Sequence, residues 1–172
     1  IVKRPLFDVG YSNESGLREL VQNAGNLMDQ IELDEERDLV DKFLREIMQA
    51  HPKATYGEMM IRSALDQGAV DTLLLSEALR KKRIAYYCRQ CNHEWIVTTE
   101  GLTPIPDCES CGAAADQVRE DEEKSEDLVD ELTLLATQSA ATVRLISTDS
   151  EEGMTLYQAF GGLAAQLRWA WS

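Results

Sequence analysis

A three-layer α/β/α sandwich with an inserted cysteine ribbon is the fold class this sequence predicts, on three observations. Apolar residues recur at helical spacing in several segments, and these alternate with short strand-like runs, the order expected of an α/β domain. Leu73, Leu74 and Leu75 stand in succession, so both faces of that run are apolar, as in a strand in mid-sheet with helices on either side. Two Cys-x-x-Cys pairs, Cys88/Cys91 and Cys108/Cys111, lie sixteen residues apart and interrupt the alternation.

The elements follow in order. Residues 1–12 carry Ile1, Val2, Leu6, Phe7, Val9 and Tyr11 around Pro5 and Gly10 and read as an extended lead-in. The chain opens on Ile1 rather than methionine and is expected to be a piece of a longer protein. Ser12 or Asn13 caps a first helix with Leu17, Leu20, Val21, Ala24, Leu27 and Met28 on one face, weakened by Gly16 and Gly25. A second helix is expected over Asp34–Ala50, its stripe made by Leu39, Val40, Phe43, Leu44, Ile47 and Met48, stopped by His51-Pro52. Thr55-Tyr-Gly-Glu58 has the form of a capping box before a helix carrying Met59, Met60, Ile61, Ala64 and Leu65.

Ala69–Ser76 reads as a central strand, and Ser76–Arg80 as a single helical turn. Trp95–Thr99 predicts a strand after the first cysteine pair, turned at Glu100-Gly101. The acidic stretch leads into a helix expected over Ser125–Gln138, and Ala141–Ser147 into a second central strand. Ser150 caps a short helix to Phe160, Gly161-Gly162 turns the chain, and Leu163, Ala165, Leu167 and Trp169 alternate as a last strand. The expected organisation is a lead-in over 1–12, an α/β core over 13–83 and 119–172, and an inserted minidomain over 84–118.

The cysteines carry the most direct chemistry. A two-residue gap lets both thiolates of a pair face one ion, and two such pairs supply the four soft ligands of a closed tetrahedral Zn²⁺ site. Cys88, Cys91, Cys108 and Cys111 are all the cysteines of the chain, which leaves none for a disulfide framework and points to a reducing, cytoplasmic setting. Free thiols, a redox pair and iron–sulfur ligation are the alternatives; a redox site needs only one pair. His93 is a substitute ligand, but beside four cysteines it reads as solvated or bonded to a neighbour of the site. Four protein ligands leave no open position for water, so the ion is expected to be structural and to fold a segment too small for its own core.

Charge sets further limits. Lys plus Arg is 17 against 31 for Asp plus Glu, a net charge of −14 that disfavours nucleic acid as the main partner. Arg80, Lys81, Lys82, Arg83 and Arg89 nevertheless form a basic neck before the ribbon and are candidate RNA contacts, while eight acids and one lysine fill Glu120–Glu131. No apolar run reaches the length of a membrane span. The chain carries no phosphate-binding loop, dinucleotide fingerprint, His-Glu-x-x-His or Gly-x-Ser-x-Gly, so no catalytic activity is expected of it. Trp169 and Trp171, near the end, are candidate partner-interface residues because tryptophan supplies much contact area.

Tyr56-Gly-Glu58, Gly68-Ala-Val-Asp-Thr-Leu-Leu-Leu75, Glu151-Glu-Gly153 and Phe160-Gly-Gly-Leu-Ala-Ala-Gln-Leu-Arg168 together resemble the C-terminal domain of archaeal and eukaryotic class I peptide chain release factors. Asn13–Leu20 matches the family's stretch before that domain, and the four cysteines are similar to the archaeal form, whose minidomain carries zinc. The resemblance implies a fold of the ribosomal-protein L7Ae/L30e type. It implies a docking role for an elongation-factor-like translational GTPase and an ABC-type ribosome recycling ATPase, on the ribosome. Stop-codon reading and peptidyl-tRNA hydrolysis would belong to other domains, and no Gly-Gly-Gln occurs here. An RNA-binding module and the matching domain of a pelota-type rescue factor, which shares the phrase around Gly68, are the alternatives.

Overall fold

The computed structural model describes residues 14–170 and shows a mixed α/β fold with two sheets. Along the chain come α1 (Glu14–Ile47), β1 (Ala54–Tyr56), α2 (Glu58–Asp66), β2 (Val70–Ser76), β3 (Lys81–Cys88), β4 (Glu94–Glu100), β5 (Val118–Asp127), α3 (Leu128–Gln138), β6 (Thr142–Ile146), α4 (Glu151–Phe160) and β7 (Leu163–Leu167). The expected lead-in over 1–12 and Trp171 lie outside the described residues.

The first sheet has the order β1-β7-β2-β6. β7 runs antiparallel to both β1 and β2, and β2 is parallel to β6. The leucine run of β2 divides between two apolar clusters. Leu73 and Leu75 pack with Ile61, Leu65, Leu128 and Leu132 of α2 and α3. Leu74 packs with Val40, Phe43 and Leu156 of α1 and α4. Helices therefore cover both faces, and each fully buried leucine contributes about 2 kcal/mol of burial. Every residue of β7 is buried, although its sequence alternates, because it lies between two strands and under two layers of helix. β6 stands at the sheet edge with Leu145 exposed, not in the centre as its composition suggested.

Three further expectations are corrected. The two N-terminal helices are one helix of 34 residues: Leu27–Leu33 holds no breaker, and Arg37 pairs with Asp34 inside the helix. Only its second half meets the sheet, through Val40 and Phe43, while Leu17, Val21 and Met28 are exposed. The capping box does not form. Thr55 is spent in β1, paired with Ala165, and α2 starts from Gly57 at φ 82° without a side-chain cap, leaving Met59 and Met60 exposed. The acidic segment is a strand as far as Asp127, whose side chain accepts from the Val129 amide and so caps α3.

The second sheet, β4-β3-β5, is antiparallel throughout and sits within the crossover from β2 to β6, ahead of α3. The basic neck is the first half of β3. Lys82 lies opposite Asp127 and Arg83 opposite Glu126, which explains why an acid-rich run is extended: cross-strand pairing with cations outweighs the helical preference of glutamate.

Near the start of α4, Ser150 accepts from the Gly153 amide, and the buried Glu36 carboxylate accepts from Ser147 at 2.8 Å. A Cβ on Gly153 would lie 1.9 Å from the Ser147 carbonyl oxygen. Gly153→Ala is therefore expected to destabilise the chain by about 2–4 kcal/mol, because backbone rather than a flexible side chain must move. Chemical denaturation measures this, and a loss below about 0.5 kcal/mol would show that the loop yields freely.

Candidate functional site

Two similar turns build the cysteine site. After Cys88 the chain turns so that Asn92, at φ 55°, donates its amide to the Cys88 carbonyl, and Cys88 donates to His93. After Cys108, Gly112 at φ 71° donates to the Cys108 carbonyl, and Cys108 donates to Ala113. A left-handed residue directly after each pair closes the turn, a conformation glycine and asparagine tolerate best. The turns bring all four sulfurs within 4.8 Å of one another, a cluster able to coordinate a metal ion. Cys88 and Cys111 stand 3.8 Å apart and Cys91 and Cys108 3.7 Å. Bonds of about 2.3 Å to tetrahedral sulfur need edges of about 3.8 Å, so these two separations fit one four-coordinate ion.

The electrostatics favour a cation at the centre. The Cys111 amide donating to the Cys108 sulfur draws that thiol down to about 6 against the cost of desolvation, helped by the Ser110 amide and the facing thiols. Cys111 is pushed up to about 12: the Ala113 amide lowers it, but thiol pairing with Cys91, desolvation and the other sulfurs outweigh that. For Cys91 the His93 amide and the Cys111 thiol pull down, but desolvation with the Cys108 and Cys88 thiols outweighs them and leaves it raised. The opposed shifts follow from thiols packed this closely, and binding a metal ion as thiolates would displace their protons.

Cys88 and Cys108 are buried with Tyr86, Trp95, Ala113 and Val118, which form an apolar cluster of their own. His93 stands outside the sulfur set, bonded to Glu109 at 3.0 Å and stacked on Trp95.

The basic neck is partly engaged within the chain. Arg80 donates to its own Glu77 and Leu79 carbonyls. Arg83 pairs with Glu131 and lies 3.8 Å from Glu58. Lys82 and Arg89 are exposed and Lys81 is half-buried. Trp169 is half exposed.

Sequence reasoning missed a ring of charges where the two sheets' units meet. Arg62 bonds Glu58 at 3.0 Å and Glu131 at 2.7 Å, Arg83 reaches the same two carboxylates, and Thr98 of β4 donates to Glu58 at 3.0 Å. The four charged side chains are only 17–25% exposed. The Glu58/Arg62 spacing of four was a visible signal, but Arg83 and Glu131 are brought in by the fold alone.

Residues 33–171 match the family described as eRF1 domain 3. The peptide chain release factor subunit 1 of Archaeoglobus fulgidus is 46% identical over 164 residues, which cover 95% of this chain and 39% of the relative. The chain thus spans about two fifths of the length of this curated relative. Among solved structures, the C-terminal domain of the peptide chain release factor from Methanosarcina mazei superposes with TM-score 0.75 at 38% identity, covering 94% of this chain and 98% of that one. A ribosome-bound archaeal Pelota, in a structure with ABCE1, gives TM-score 0.56 at 22% identity over 96% of this chain and 35% of that one, a likeness of fold. Among the described residues no helix is long and apolar enough to cross a membrane.

Proposed function

Because this chain belongs to the eRF1 domain 3 family, we propose that it is the protein-docking domain of a translation termination factor. Its partners are an elongation-factor-like translational GTPase and an ABC-type ribosome recycling ATPase. The observation that carries this reading is the near-complete mutual coverage with the C-terminal domain of the Methanosarcina mazei release factor. Pelota standing with ABCE1 on the ribosome supports the ATPase as a partner for the shared fold. In the whole factor, stop-codon reading and peptidyl-tRNA hydrolysis fall to other domains, and this one turns over no substrate.

The finer fold assignment is a three-layer α/β/α core of the ribosomal-protein L7Ae/L30e type. Its zinc-ribbon-like insert is best drawn with the second sheet, Lys81–Asp127. Helices on both faces of the first sheet and the paired turns at the cysteines support it. Cys88, Cys91, Cys108 and Cys111 would hold one structural Zn²⁺. Trp169 is a half-exposed candidate for the partner interface.

Calorimetric titration with each purified partner, the GTPase loaded with a non-hydrolysable GTP analogue, tests the docking role. Dissociation constants in the micromolar range or tighter, about −8 kcal/mol, are expected. Absence of binding to both, in this chain and in the full-length factor, would overturn it.

Lys82 and Arg89 are the exposed cations left to meet ribosomal RNA. RNA binding by this chain alone is expected to be weak, with a log–log salt slope of about −0.9 per phosphate neutralised. Tight binding that survives physiological salt and the double reversal Lys82→Glu/Arg89→Glu would contradict this.

A further inference from the structure

A second surface lies on the face of the second sheet that carries Ala85 and Tyr87. Ala85 lies opposite Ile96 and Asp121, and Tyr87 opposite Glu94, so these side chains share one face. They line a shallow cavity of ≈ 390 Å³. Its floor is apolar: Ile96 is 51% exposed and Tyr87 36%, and the two stand on the same face of the sheet. Its rim is anionic, with Glu94 on one side and Asp121 on the other.

β5 departs from the ladder at this point. From Arg83/Glu126 to Ala85/Asp121 it uses more residues than β3 does, and Glu122–Ser125 form an excursion. Ser125 pins its base, accepting from the Ala85 amide at 3.2 Å and donating to the Asp121 carbonyl at 2.8 Å. The excursion lays Lys124 across the cavity, its ammonium 2.9 Å from Glu94 and 3.4 Å from Asp121. The chain's own lysine thus occupies a clamp of two carboxylates over an aromatic and aliphatic floor. Lys124 is 55% exposed, and pairs this open contribute little to stability, so another cation can replace it.

We propose that this groove docks an extended, lysine- or arginine-bearing segment of a basic protein partner, which displaces Lys124 from Glu94 and Asp121. Charge complementarity selects the occupant. Glu94 and Asp121 rim the groove, and Glu122 and Glu123 precede Lys124 in the excursion, a local charge that repels phosphate and attracts a basic chain. The floor selects a protein segment over a bare ion: the methylene stem of the incoming residue lies on Ile96, and its charge lies against the Tyr87 ring. The site is separate from the interface candidate named above: none of its residues belongs to the four-stranded sheet or its helices, and Trp169 is not among them.

The test titrates the ¹⁵N-labelled, zinc-loaded chain with an alternating Lys-Val heptapeptide, its Glu-Val counterpart and spermidine, followed by amide shifts. Shifts centred on Tyr87, Glu94–Ile96 and Asp121 are expected with the lysine peptide alone. Lys124→Ala is expected to tighten its binding about five-fold, and Glu94→Gln/Asp121→Asn to weaken it about ten-fold, while Lys42→Ala, far from the groove, changes nothing. Equal tightening by Lys124→Ala and Lys42→Ala would reduce the effect to overall charge and overturn the site. Spermidine binding as tightly as the peptide would overturn the protein occupant. Shifts confined to Glu122 and Glu123 would leave the floor unused and refute the groove.

Discussion

Replacing Cys108 by serine is expected to unfold the second sheet while the first remains. The cluster behind β3, β4 and β5 has six buried residues, and two of them, Cys88 and Cys108, are themselves in the sulfur set. So little apolar surface is not expected to order three strands and the long connection between β4 and β5 unaided, so the proposed Zn²⁺ would carry much of the sheet's stability. A structural Zn²⁺ contributes about 10–16 kcal/mol of apparent binding energy at neutral pH, comparable to or above the whole stability of a domain, and that energy is folding energy. Metal analysis should find about one zinc per chain in the parent protein and little in Cys108→Ser or Cys91→Ser. Hydrogen exchange should show amides of Lys81–Asp127 losing protection while those of β2 and β7 keep it. Full metal occupancy in Cys91→Ser, or unchanged protection of β3 in Cys108→Ser, would falsify the four-sulfur assignment.

Glu131→Gln should cost about 2–4 kcal/mol, a fall in Tm of roughly 5–15 °C, because it leaves Arg62 and Arg83 facing each other with only Glu58 between them. The loss follows from removing one partner of a partly buried set rather than from the net worth of the pairs. The Glu131 carboxyl carries a cost of burial, yet the hydrogen bond and charge of Arg62, with those of Arg83, hold it below its ordinary value of 4.5. The stabilisation is therefore complete above that value and is lost as the pH falls through the depressed folded value. In Glu131→Gln this part of the acid sensitivity should vanish. A double-mutant cycle with Arg83→Gln should show coupling above about 0.5 kcal/mol, and strict additivity would mean that the two groups do not interact.

What could be seen in the sequence and what could not follow from the range of the interactions involved. Leu73–Leu75 announced a strand covered on both faces because composition alone carries that information. The Cys-x-x-Cys spacing announced four converging sulfurs for the same local reason. The helix expected from Ser125 begins only at Leu128, and what keeps the acids before it extended is Lys82 and Arg83 on another strand. Thr55 and Glu58 had the spacing of a cap, but an open edge on β7 claimed Thr55 first, and Glu58 turned to Arg62 and Thr98. The helix that runs unbroken past Asp34 shows the converse: two apolar stripes that read as separate helices are continuous, because nothing between them breaks the backbone. Lys124 over its groove had no signal, since its position depends on where β5 leaves the ladder.

The place of the second sheet in the chain bears on how the first one forms. β2 and β6 are parallel neighbours, so their pairing must wait for the whole connection between Ser76 and Thr142 to close. Within that connection Lys82 is held opposite Asp127. With the proposed Zn²⁺ holding the ribbon closed, the residues between those two would no longer count as free chain, and the connection would shrink to its short flanks and α3. The entropy of closing a flexible loop grows with the logarithm of its length, so this shortening removes on the order of 1 kcal/mol from the cost of bringing β6 to β2. The ribbon thereby acts as a splint: an excursion that looks like an obstacle to a parallel pairing becomes, when loaded, a means of speeding it.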